Sequence, residues 1–97
     1  MTATISSDIL ASYAADAARD VDGVHGLVEG GLHRNKGVRI EEENGHVRVE
    51  LHIAVAWGAS LPDVGREVQQ RVAAYLARMA SIEPEAVDVV IDEIVTR

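Results

Sequence analysis

The sequence predicts an α+β two-layer sandwich: a mixed four-stranded sheet with two helices on one face, in the order α-β-β-β-α-β. Three observations carry this. Asn44-Gly45 stands between two alternating runs, Val38 to Glu43 and His46 to Trp57, and Asn-Gly suits a type I′ hairpin turn because both central residues there take positive φ. Apolar residues recur at helical spacing in two other stretches, Ile9 to Val21 and Leu61 to Met79. A last alternating run, Ala86 to Val95, follows the second helix, so a crossover would lay it parallel in the same sheet. The 97 residues are expected to form one domain, residues 1–97, long enough to bury a core without disulfide or metal staples.

Taken in order, Ser6 is placed to cap the first helix, with Asp8 in its first turn and Ile5 able to staple onto Leu10. Ile9, Leu10, Tyr13, Ala14, Ala17 and Val21 form its apolar face, and Asp22-Gly23 ends it. Val24 to Glu29 reads as a first strand among glycines that mark turns and a bulge. The hairpin register follows from its turn: Glu43 faces His46, Glu41 faces Arg48, Arg39 faces Glu50 and Val38 faces Leu51. One face then collects Val38, Ile40, Val47, Val49, Leu51, Ile53, Val55 and Trp57. The other face pairs Glu41 with Arg48 and Arg39 with Glu50 as opposite charges across the ladder.

Ser60 and Asp63 have capping-box spacing ahead of the second helix, and Pro62 is tolerated in its first turn. Leu61, Val64, Val68, Val72, Tyr75 or Leu76, and Met79 make its buried stripe, while Glu67 and Arg71 form an i, i+4 pair. Gly65 inside this helix points to a close neighbour, and Glu83-Pro84 stops the helix. In the last strand Val87, Val89 and Ile91 face one way, and Asp88, Val90, Asp92 and Ile94 the other. That second face is mixed. With Ala54 and Ala56 of the long strand, Val90 and Ile94 make an apolar strip on the open side of the sheet, the expected interaction surface.

The charge narrows the function. A formal net charge of -7 argues against nucleic acid as a partner and against direct contact with an anionic membrane surface. No apolar run reaches the roughly 18 residues of a membrane span, and the first residues lack the basic start of a signal peptide. Without cysteine there is no thiol chemistry, in keeping with a cytoplasmic chain.

Four histidines invite a metal reading, but His46 and His52 lie six residues apart on one strand, about 20 Å, and His25 and His33 bring no carboxylate cage. They are expected to be solvated. Glu41-Glu42-Glu43 splits between two faces, and it reads as a hairpin tip that discourages edge pairing. The glycines around Gly23 to Gly31 match neither G-x-G-x-x-G nor a Walker loop. No serine lies in a G-x-S-x-G elbow. No catalytic, cofactor-binding or metal-binding residue is therefore assigned.

End to end, the pattern resembles the alkaline shock protein family of bacterial envelope stress response proteins. The resemblance rests on Ile5-Ser6-Ser7-Asp8-Ile9-Leu10 with its alanine-rich helix, Val21-Asp22-Gly23-Val24-His25-Gly26-Leu27 and Lys36-Gly37-Val38-Arg39-Ile40. It continues in the strand ending Trp57-Gly58, in Leu61-Pro62-Asp63-Val64 through Val68-Gln69 and Val72, and in Val87-Asp88-Val89-Val90-Ile91. It implies a small non-catalytic protein linked to envelope homeostasis and stress, held at the inner face of the cytoplasmic membrane by a membrane-anchored protein partner. It brings no active-site residues and no cofactor. Family members commonly carry a longer charged tail, whereas this sequence stops at Arg97.

The expected function is therefore an interaction or structural protein that self-associates as a homo-oligomer or docks on such a partner. The competing reading is a small ligand-binding or KH-like nucleic-acid module. Against it, Gly23-Val24-His25-Gly26 has the G-x-x-G form but sits beside Asp20 and Asp22 instead of basic residues.

Overall fold

The computed structural model describes residues 6–30 and 35–96. Its elements are α1 (Ser7–Arg19), β1 (Val24–Leu27), β2 (Val38–Glu43), β3 (His46–Ala56), α2 (Leu61–Ala80) and β4 (Ala86–Val95), in the α-β-β-β-α-β order expected. The expected staple by Ile5 and the roles of Gly31, His33 and Arg34 lie outside the described residues.

The turn residues do what the hairpin needs: Asn44 and Gly45 take φ of 53° and 81°. The register is the expected one, from Val38 opposite Leu51 to Glu43 opposite His46. Strand β3 is the axis of the sheet. Strand β4 runs parallel to it along one edge, from Arg48 beside Ala86 to Ala56 beside Val95. Strands β1 and β2 share the other edge end to end, both antiparallel, with β2 along His46–Leu51 and β1 along Ile53–Val55.

Both helices cover one face. Leu51, Ile53 and Val55 of β3 and Leu10, Val68, Val72 and Leu76 of the helices are fully buried, and Val87, Val89 and Ile91 of β4 pack on this core. Five alanines of α1 are buried among them, so the helix lies close to its neighbours. Tyr13 and Tyr75 meet edge to face between the helices, 5.8 Å apart.

Several side chains depart from expectation. Ile9 is 47% exposed because the buried stripe of α1 runs through Leu10, Ala11, Ala14 and Ala18, and Ile9 lies about 100° before Leu10 on the side away from it. Met79 (45% exposed) and Trp57 (73% exposed) likewise leave the core. β3 ends at Ala56, so the alternation that would turn Trp57 inward no longer applies to it. Ser6 caps α1, accepting from the Ile9 N–H at 3.2 Å, whereas Ser60 makes no side-chain cap at α2 and Asp63 pairs with Arg66 instead. Glu67 and Arg71 form the expected i, i+4 pair.

Helix α2 stops at Ser81, three residues before Pro84. Ser81 takes the left-handed conformation (φ 56°), and the Ser81 and Ile82 N–H groups donate to the carbonyls of Ala77 and Leu76. Gly65 has nothing within 4 Å of where a Cβ would sit, so no close approach explains it.

Candidate interaction surface

The face of the sheet away from the helices is built by the outward residues of β3 and β4. Val90 stands level with His52 in the parallel ladder. A bulge at Asp92 then shifts the register, from Ile91 beside Ile53 to Glu93 beside Ala54. The extra residue puts Ile94 level with Val55 and Val95 level with Ala56. Val90 (37% exposed) thus lies on the open face beside His52, whereas Ile94 (47% exposed), level with the core residue Val55, falls past the bulge on the face that Val55 shares; Ala56 is half-buried and Ala54 is covered by its own chain. Trp57 adjoins them, because its backbone N–H donates to the Val95 carbonyl at 2.9 Å.

The charges on this face pair differently from the expected ladder. The register sets Arg39 opposite Glu50 and Glu41 opposite Arg48. Yet the Arg39 guanidinium binds Glu41 on its own strand at 2.6 Å, and Arg48 reaches Glu85 at 3.7 Å. Residues two apart on a strand share a face, so Arg39 reaches Glu41 without crossing the ladder. Glu85 leads into β4, the neighbour of β3 on the side away from β2.

Glu50, relieved of Arg39, contacts the Nε2 of His52 at 2.8 Å, while the Nδ1 of that ring lies 2.9 Å from an Asp92 oxygen. The His52 side chain is 16% exposed. The expectation of a solvated histidine therefore fails at His52, which ties β3 to the bulge of β4. Alternation alone placed Glu50 and His52 together; the bulge that brings Asp92 to the ring carries no sequence signal. His46 lies 3.6 Å from Glu85, and His25 is exposed. Among the described residues no cluster of histidine and carboxylate side chains is arranged to hold a metal ion. His52 presents its two nitrogens to opposite neighbours, the geometry of a bridge between strands.

Two of the clefts on the described surface gather charged side chains. One, about 330 Å³, lies between the helices and is lined by Asp16, Asp20, Arg71, Tyr75 and Arg78, with the Arg78 guanidinium 5.5 Å from the centre of the Tyr75 ring. The other, about 470 Å³, lies at the hairpin tip among Glu41, Glu42, Glu43, His46, Arg48 and Glu85. Neither contains a serine; Ser60 lines a further cleft of about 350 Å³ beside Gly23, with Asp63 and Glu67 and no histidine, while Ser6 caps α1, Ser12 accepts from Lys36 and Ser81 ends α2. Gly23-Val24-His25-Gly26 is not the exposed loop that a KH-like module would use. Val24 opens β1, and the ladder is bulged between Val24 and Gly26.

Among the described residues no helix is long and apolar enough to cross a membrane.

Comparison with known proteins agrees with this architecture. The model of the alkaline shock protein 23 family, described as having a cell envelope-related function, matches residues 1–96. A relative in Bacillus subtilis (strain 168), the uncharacterized protein YqhY, is 27% identical, over 88% of this chain and 70% of its own length. Among solved structures, a histidine-to-alanine variant of the MamM CTD is similar with a TM-score of 0.61 at 16% identity, covering 91% of this chain and 98% of that one. A manganese form of a MamM CTD variant aligns with a TM-score of 0.57 at 18% identity, over 88% of this chain and 95% of that one. At these identities the likeness is one of fold.

Proposed function

The chain belongs to the alkaline shock protein 23 family, whose function is cell envelope-related, and on that basis we propose that it is a non-catalytic interaction module working on the cytoplasmic side of the envelope. It assembles with copies of itself or with a membrane-anchored protein through the open side of its sheet. One observation carries the reading: among the described residues β4 pairs only with β3, and it carries the exposed apolar residues Val90 and Ile94, with the exposed Trp57 beside its end. Large apolar side chains left in water next to an open strand edge are the usual mark of a surface that another chain covers.

The test is the Val90→Asp, Ile94→Asp double variant compared with the native chain, by light scattering across a concentration series and by co-sedimentation with membranes from cells expressing each. The native chain is expected in assemblies or in the membrane fraction, and the variant, still folded by circular dichroism, as a free monomer. A native chain that is monomeric at every concentration and absent from the membrane fraction would overturn the reading.

A further inference from the structure

The sheet has two edges, and they are not equivalent. On the β1–β2 side the edge is broken between two short strands, and Asn35 closes the outward backbone groups of Val38 with bonds of 2.7 and 2.9 Å. On the other side β4 runs for ten residues. The Glu85 N–H donates to Val47 and the Val95 carbonyl accepts from Trp57. Backbone groups of a strand alternate in direction, so those of Ala86, Asp88 and Val90 point away from β3, along an edge with no neighbouring strand among the described residues.

The charge along this edge is acidic. Asp88 and Glu93 are exposed and form no ion pair among the described residues. The cations among the described residues are occupied: Arg19, Arg39, Arg48, Arg66 and Arg71 are in ion pairs, Lys36 bonds Ser12, and Arg78 lies over Tyr75. A second copy is a poor occupant. Antiparallel pairing of two β4 edges about Val90 would set Asp88 of each copy against Asp92 of the other, between two chains of formal charge -7.

We propose that the outer edge of β4 accepts, as an added strand, an extended segment of a partner protein that alternates apolar residues with lysine or arginine. This rests on the interaction-module reading and names the chemistry of the partner. Main-chain bonds to Asp88 and Val90 supply the docking, as in other strand additions. The partner's cations meet Asp88 and Glu93, and the exposed Trp57 ring at the end of the strand offers a face to one of them. Self-assembly, where it occurs, then uses other parts of the surface.

The experiment titrates the full chain with two ten-residue synthetic peptides, one alternating valine and lysine, the other valine and glutamate. Binding is read by the fluorescence of Trp57, the one tryptophan in the sequence, and by backbone amide shifts. The lysine peptide is expected to bind and to move the Asp88 and Val90 amides, and the glutamate peptide not to bind. Val90→Pro, which removes an outward N–H, is expected to weaken binding about tenfold. Because that variant risks misfolding, the Asp88→Lys, Glu93→Lys variant provides the second arm: its preference reverses to the glutamate peptide.

Equal binding of the two peptides, no binding of either, or amide shifts confined to the cleft between α1 and α2 would overturn the proposal. If the lysine peptide fails while Val90→Asp, Ile94→Asp still releases the chain from its assemblies, the strand-addition proposal falls alone. If the native chain also neither assembles nor sediments with membranes, the broader reading falls with it.

Discussion

Gly23 has no room for a side chain. It takes φ of +95°, and a Cβ there would lie 2.8 Å from a methyl of Val64 and 3.2 Å from the Cβ of Ala59. Its carbonyl accepts from the Ala56 N–H at 2.9 Å, so this residue seats the end of β3 against the start of α2. Gly23→Ala should therefore cost roughly 1–3 kcal/mol, from strain and crowding together. Urea denaturation should show a lowered midpoint with an unchanged slope. Individual residues were the least legible level of the sequence. Backbone register follows from Asn44-Gly45, but the choice of ionic partner follows from which long side chain reaches which neighbour. Arg39 had Glu41 on its own strand as well as Glu50 across the ladder. His52 needed the bulge at Asp92, which a strand of valines and acids does not announce.

The helices and strands were more readable, because each is set by periodicity and local signals. The hairpin and β4 lie where their alternation puts them, and α1 begins at its serine cap. The misses lie at ends and faces. Helix α2 closes at Ser81 through backbone bonds that any residue tolerating the left-handed conformation can make, so Pro84 was the louder but wrong marker. Trp57 continues the alternation of β3 in sequence but follows its last paired residue, so burial did not reach it.

Gly65 is a helix glycine without a packing reason. Gly65→Ala should accordingly raise stability by about 0.5–1 kcal/mol, the ordinary helix-propensity gain, read as a higher urea midpoint. A loss of stability on that substitution would mean a neighbour approaches α2 there. Of the candidate surface, the place of Val90 on the open face was legible from alternation; the bulge that sets Ile94 level with Val55 instead was not.

At the scale of the whole molecule, the sheet is organised about one strand with neighbours on both sides. Leu51, Ile53 and Val55 are covered by helices and bonded through both ladders, so β3 should exchange its amide hydrogens only on global unfolding. The outward amides of Asp88 and Val90 should exchange many times faster. Hydrogen exchange resolved by residue checks this contrast, and slow exchange at both outward amides in the isolated monomer would mean that the edge is already covered.

The bulge at Asp92 has a further consequence for how such a molecule stays in solution. A long apolar strand edge invites one chain to stack on the next without end, the route to fibres. Here regular pairing from Ala86 runs only as far as Ile91, six residues or about 20 Å, before the ladder breaks. The carboxylates of Asp88, Asp92 and Glu93 recur along the same stretch. Stacking of like on like is interrupted by geometry and opposed by charge, so the edge can remain open to a different chain without turning the protein into an aggregate of itself.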